Sequence, residues 1–250
     1  MKPSIVVYTC LTAARDPIRE DQYISHDQHQ HRFIAFVDAP VQSEVWKQMV
    51  LTEQQTSSRR TARYVKLLPH RHVDADISLW QDANVALRVS PSRLCDDWLA
   101  NCDLAVFQHR TRSCLYEEAR VCKEKLLDDP ILIDNQISRY RASGIMPNLG
   151  LAETSVVLRR HSKRMDQFNE LWWNELSRGS VRDQISFMVV AQQSGIKVRL
   201  ITPTKFHHPY FSMTVRPPGS EKAVNQSVSV HSPQRAGPAS EVASVLPRKP

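Results

Sequence analysis

Between residues 4 and 201 the chain alternates short runs rich in β-branched and aromatic residues with segments whose apolar side chains recur at helical spacing. That alternation restricts it to α/β folds in which helices cover a mainly parallel sheet. Strands are expected at 4–9, 32–37, 77–80, 104–107, 154–158 and 196–201. One helix is expected from Ser43, with Trp46, Met49 and Val50 on one side. Others are expected at 115–127, near 134–142, at 162–178 through Met165, Phe168, Trp172 and Leu176, and at 181–193, with Gly179 ending the fourth. No internal repeat is present.

A chain of 250 residues, 41% hydrophobic, can bury one good-sized core. From Val215 onward six of the fifteen prolines gather with no aromatic residue, so 215–250 reads as a disordered tail and 1–214 as a single domain. The longest apolar runs, such as Ile5-Val6-Val7, fall far short of the roughly 20 residues that span a bilayer, so no transmembrane segment is expected. Lys2 before the apolar start imitates a signal peptide, but Tyr8, Thr9 and Thr12 interrupt it, and a buried first strand is the expectation. Five cysteines without C-x-x-C spacing indicate neither a disulfide framework nor a zinc ribbon, which points to a reducing cytoplasm, with peripheral membrane contact left open. The net charge of +7 calls for an anionic partner, whether nucleic acid, a phosphate-bearing ligand or an acidic membrane surface.

Open α/β sheets place ligands beyond the carboxyl ends of their strands. Asp38 follows the second expected strand, Asp82 and Asn84 the third, and His109 with Arg110 and Arg112 the fourth. None of the six glycines falls in a G-x-G-x-x-G or P-loop pattern, so a diphosphate would need another counter-charge, and a divalent cation on oxygen ligands is the candidate. Asp82 and Asn84, two residues apart in a loop, could face one ion, although the same pair could simply make a turn. Asp74 and Asp76 precede the strand and read as a solvated turn. Arg59, Arg63 and Lys66 share a helical face, either solvated or facing donor phosphates. Ser180 to Asp183 has the form of a capping box, leaving Asp183 as cap, acceptor contact or both. Trp172 and Trp173 are about 100 degrees apart on a helix and cannot both face the core; Trp173 could stack on a sugar or pack on a loop.

Several segments then occur in order. They are Val7-Tyr8-Thr9-Cys10-Leu11-Thr12, Leu68-Pro69-His70, 79–84, Phe107-Gln108-His109-Arg110, Cys114-Leu115-Tyr116-Glu117-Glu118-Ala119, Gly150-Leu151-Ala152-Glu153-Thr154, Arg159-Arg160-His161, Trp172-Trp173 within 169–175, and 179–187. Over about residues 5–190 the chain resembles the turgor-related and mucilage-related glycosyltransferase-like family. The resemblance implies a single GT-A-like domain with a mixed, mainly parallel central sheet flanked by helices. It also implies transfer from a nucleoside-diphosphate sugar to a carbohydrate acceptor with manganese or magnesium. Asp82-Ala83-Asn84 occupies the metal-loop position, with a late histidine, His208, as further ligand. Donor contacts fall to Thr9, Asp38, Lys66, His70, His109 and Arg110, and the catalytic base to Asp183 or Glu153. Hexosyl or uronosyl transfer stays open, and so does the stereochemical outcome. One departure is Ala13-Ala14-Arg15-Asp16, where the family is expected to carry glycines after the first strand. The competing readings are a metal-dependent nuclease or phosphohydrolase and a noncatalytic module for acidic glycan or nucleic acid, with nucleic acid disfavoured.

Overall fold

The computed structural model describes residues 2–13, 18–19 and 31–214. The loop at 14–16 and the expected tail at 215–250 lie outside the described residues. In chain order the elements are β1 (Ile5–Leu11), β2 (His31–Val37), β3 (Lys47–Val50), α1 (Ser58–Leu67), a 3₁₀ turn (Pro69–Arg71), β4 (Ile77–Gln81), β5 (Val85–Leu87) and α2 (Pro91–Trp98). There follow β6 (Leu104–Gln108), α3 (Leu115–Glu124), α4 (Pro130–Ala142), β7 (Ala152–Arg160), α5 (Lys163–Ser177), α6 (Asp183–Ser194), β8 (Val198–Ile201) and β9 (Phe211–Met213).

Seven strands form one sheet in the order β3-β2-β1-β4-β7-β6-β8, while β5 and β9 pair separately. All neighbours in the large sheet are parallel except β7, which runs antiparallel to both β4 and β6. The sheet is thus mixed and mainly parallel, flanked by helices, as expected. Alternation along β1 sends Val6, Tyr8 and Cys10 to one face and Ile5, Val7 and Leu11 to the other. The first face is covered by α1, α5 and α6, and the second by α2, Trp46 and the β5–β9 pair. Helix α6 also backs onto α3 and α4 through Ile185 and Val189. Being covered on both sides, it is apolar nearly all round.

Local chemistry sets the helix ends. Ser57, Ser90 and Ser162 each accept a hydrogen bond from the backbone N–H three residues on, starting α1, α2 and α5. Pro91 and Pro130 occupy first helical positions, and Gly195 ends α6 in the left-handed conformation, φ 65°.

The helix expected from Ser43 is not formed; the chain there makes β3, paired in parallel with β2. Ser43 does accept from the Trp46 N–H, as a cap would, but Gln48 then bridges both polar groups of Val41. Trp46 is buried against Phe33, and the edge of β2 satisfies the backbone that follows. Among the described residues no helix is long and apolar enough to cross a membrane.

Phe187 has no exposed surface and packs against Phe168 and Trp172 between helix and sheet. Phe187→Ala is expected to cost about 3–5 kcal/mol, read as a lower urea midpoint with unchanged slope; a loss under 1 kcal/mol would contradict this packing.

Candidate active site

Because β7 alone is reversed, its first residues share a rim with the carboxyl ends of its neighbours. Gln81 at the end of β4 faces Val156, and Gln108 at the end of β6 faces Ala152. Asp38, Asp82, His109 and the stretch Glu153 to Ser155 therefore meet along one edge of the sheet. The start of α1 reaches the same edge, where Thr12 Oγ1 donates to the Ser58 carbonyl.

At the end of β1, Ala13 adopts φ 58°, a region that favours glycine, and its N–H donates to Asp38 Oδ2 at 2.6 Å. The expected glycine position thus keeps its glycine-like backbone with an alanine in it. Thr9 is fully buried inside β1 and its Oγ1 has no hydrogen-bond partner among the described residues; it lies beneath the rim, not on it.

In the loop after β4, the Asp82 N–H donates to the Ser155 carbonyl at 2.8 Å, and Asp82 Oδ1 accepts from the Trp80 indole at 2.9 Å. The Asn84 side-chain N–H donates to the Thr214 carbonyl at 3.1 Å, so its amide oxygen is the atom it can offer a cation. These two donors suit a hard cation that takes its remaining oxygens from a diphosphate. His208 is not brought to them. Register sets Val85 opposite Met213 and Leu87 opposite Phe211, so Asn84 and His208 lie towards opposite ends of this two-stranded sheet. The imidazole is packed among Trp98, Phe107, Tyr210 and Phe211 and accepts from the Tyr210 N–H; burial lowers its pKa. Among the described residues no three His, Cys, Asp or Glu side chains are grouped to hold a metal ion.

Behind the rim lies a buried ionic cluster. Lys66 Nζ, 1% exposed, donates to Asp183 Oδ2 at 2.5 Å and to Thr154 Oγ1 at 3.0 Å, and Arg63 reaches the same carboxylate at 3.3 Å. Burial works to raise the Asp183 pKa, but Arg63, Lys66 and Arg182 together outweigh it and hold the carboxyl well below the usual range. Burial pulls Lys66 below its ordinary value against Asp183 and Asp82, which hold it charged. Arg159, fully buried, donates to Tyr8 Oη and the Lys66 carbonyl, while its Nε and Nη2 have no hydrogen-bond partner among the described residues. The capping box is not formed: Ser180 Oγ accepts from Arg182 N and donates to Asp128, and α6 begins at Asp183. Trp172 donates its indole N–H to the Asp183 carbonyl, while Trp173 packs edge-on against Tyr64.

Glu153 is the more open of the two candidate carboxylates. Its side chain is 18% exposed, against 4% for Asp183, and it accepts from Lys205 Nζ at 2.8 Å, from the Ser155 N–H and from Ser155 Oγ. On its other side His109 Nδ1 accepts from the N–H groups of Thr111 and Arg112, which makes it a turn-former. Arg112 is paired with buried Glu118 at 2.6 Å. Arg110 is exposed and lies over the Phe206 ring.

His70 is absent from this rim. It follows α1 at the amino end of the sheet, bonded to Glu170 and Asn169. There it lines a separate cleft of about 430 Å³ with His72, Asp74, His161 and Asp166. Helix α1 starts at the carboxyl edge and ends at the amino edge, so Lys66 lies buried partway and His70 emerges on the far side.

The fold and this rim define a glycosyltransferase-like α/β domain. The TOD1/MUCI70, glycosyltransferase-like domain matches residues 40–211, and the chain belongs to that family. It is 30% identical over 220 residues to the probable hexosyltransferase MUCI70 of Arabidopsis thaliana, covering 77% of this chain and 38% of that protein. It is 28% identical over 147 residues to the alkaline ceramidase TOD1 of the same plant, covering 54% of this chain and 32% of that protein. The chain thus spans only about a third of the length of these relatives, 38% of one and 32% of the other. Core-mannan synthase A of Aspergillus fumigatus, in a Mn/GDP form, superposes with a TM-score of 0.47 at 8% identity over 87% of this chain and 80% of that one. A mannosyltransferase of Pyrobaculum calidifontis, in complex with GDP-Man and Mn2+, gives 0.42 at 12% identity over 84% and 59%. Likenesses this distant say nothing about activity.

Asp183→Asn should cost about 3–5 kcal/mol at neutral pH by leaving Lys66 buried without its counter-charge. The depressed Asp183 contributes fully above the unfolded carboxyl value near 4, and its contribution is lost as pH falls below that toward the folded value. Denaturation at pH 7 and pH 3 should therefore show the gap between wild type and variant narrowing in acid. A gap independent of pH would contradict the assignment.

Proposed function

We propose that this domain transfers a sugar from a nucleoside-diphosphate donor to a carbohydrate acceptor at the carboxyl rim. The supporting observation is the short relay across β7: Asp82 is fastened to the backbone of Ser155, whose N–H and hydroxyl in turn hold the Glu153 carboxylate. A phosphate-facing loop after β4 and an acceptor-facing carboxylate on β7 are thereby set side by side, as reacting groups must be if proximity is to lower the barrier.

Each part then has a role. Asp82 and Asn84 would hold a divalent cation. Such a cation supplies charge neutralisation to the departing diphosphate. Arg63, Lys66, Arg159 and Arg182 all act on buried Asp183 or are acted on by it, with Glu118 also facing Arg182 and Asp82 also facing Lys66, and the positive charge left over gives the donor phosphates a favourable field from behind the rim. Asp183, kept ionised and doubly paired, acts as the anchor of that field; its low proton affinity makes it a poor base. Glu153, held by Ser155 and Lys205 yet open to solvent, is the base or orienting group toward the acceptor hydroxyl. Asp38 shapes the donor loop through its bond to Ala13. His70 and His208 have no part in this reading.

Two measurements test it. With manganese present, one nucleoside diphosphate at a hundredfold excess over its Kd should raise the melting temperature by about 5 °C or more, and Asp82→Ala should abolish the shift. If no nucleotide shifts the wild type with or without metal, the donor site is wrong. Glu153→Gln should keep the nucleotide shift while kcat falls by about 10²–10⁴-fold; full activity in that variant would remove Glu153 from the chemistry.

A further inference from the structure

We propose that Arg110 and Phe206 form a subsite for a sugar ring that carries a carboxylate, the uronic-acid class of saccharide. Binding there stands on its own observations, while its use in transfer rests on the function proposed above.

The charges along this rim are mostly committed. Arg112 is paired with Glu118, Lys205 with Glu153, and both Lys66 and Arg63 with Asp183. Arg110, exposed just beyond β6, has no hydrogen-bond or ion-pair partner among the described residues. Its guanidinium lies over the Phe206 ring, 5.3 Å from the centroid, which holds the fork of donors against one part of the ring. Lys205 Nζ lies 5.4 Å from the same centroid, yet Phe206 remains 47% exposed, so the cations do not seal it. The result is a large apolar ring whose uncovered part faces water, a planar cation over it with no ion-pair partner among the described residues, and the Glu153 carboxylate one side chain away through Lys205.

Saccharides fit such a surface through two different parts of the molecule. The C–H face of a pyranose is apolar and stacks on an aromatic ring, as any flat apolar surface can. A carboxylate on that pyranose matches the guanidinium fork with two parallel hydrogen bonds. A neutral sugar would use the ring and leave the charge unanswered. Free phosphate would use the charge and leave the ring exposed. The sugar carboxylate could belong to an acceptor glycan or to a nucleoside-diphosphate uronate, and these two sources are separable.

The test is isothermal titration of the full chain, without transfer, using four ligands. These are an oligouronide, a neutral oligosaccharide of equal length, a nucleoside-diphosphate uronate and the matching nucleoside-diphosphate hexose. The oligouronide should bind at least tenfold more tightly than its neutral counterpart. Arg110→Ala should erase that preference and leave neutral binding within twofold, and Phe206→Ala should weaken both saccharides. Arg120→Ala, an exposed charge on α3 paired with Glu124, controls for net charge and should change neither. Dependence on Arg110 seen with the nucleotide uronate alone would assign the subsite to the donor. Equal affinity for acidic and neutral saccharides, or indifference of every ligand to Arg110→Ala in a variant with unchanged melting temperature, overturns the proposal. A chain that binds the oligouronide but no nucleotide would keep the subsite and overturn the transferase reading instead.

Discussion

The contact on which the rest depends is the buried pair of Lys66 and Asp183. Removing an ammonium and a carboxylate from water is costly, and the pair survives only because each charge finds further partners: Thr154 and Arg63 on the carboxylate, Thr154 on the ammonium. Those partners come from α1, β7 and α6, so satisfying one pair fixes a helix, a strand and a helix start relative to one another. Trp172 adds a fourth element by binding the Asp183 carbonyl from α5. A buried pair of this kind adds little net stability but specifies one arrangement, because any slippage leaves a charge unanswered.

That arrangement supports the candidate site. Reversal of β7 brings Glu153 to the edge where the parallel strands end, and the interruption of its register with β6 between Val106 and Phe107 sets Glu153 opposite Phe107. Neighbouring strands then contribute Asp82 from one side and Arg110 from the other. The candidate site is therefore an edge with successive stations: the Asp82–Asn84 loop after β4, a carboxylate at β7, and an aromatic and cationic surface where β6 and β8 end.

Much of the scaffold was legible because it is local. The β-branched run of β1 and the apolar periodicity of α5 are each decided within a dozen residues, whereas α1 and α2 are short helices that the apolar pattern did not announce. The same locality explains the error at Ser43, where a genuine cap-like bond precedes a segment that the neighbouring strand claims. Strands β5 and β9 have three residues each and pair across more than a hundred positions, so no pattern in either announces the other. The rim residues Asp82 and Glu153 could be picked out by resemblance and by following strand ends, but their relay through Ser155 could not. Lys205 and Phe206 carry no motif of their own, and the metal-ligand type beside them, His208, sits half-buried among aromatic rings. His70 misled for a geometric reason: four residues along from Lys66, it has already crossed to the opposite end of the sheet.

The central claim is that this rim moves sugars, and product analysis addresses it most directly. The full chain would be incubated with nucleotide sugars, manganese and acidic or neutral oligosaccharides, and the saccharides weighed by mass spectrometry alongside Asp82→Ala and Glu153→Gln. The account predicts that wild type adds the mass of one sugar residue to an acceptor and that both variants do so far more slowly. Release of free sugar and nucleotide with no extended acceptor, or equal extension by wild type and both variants, would contradict it.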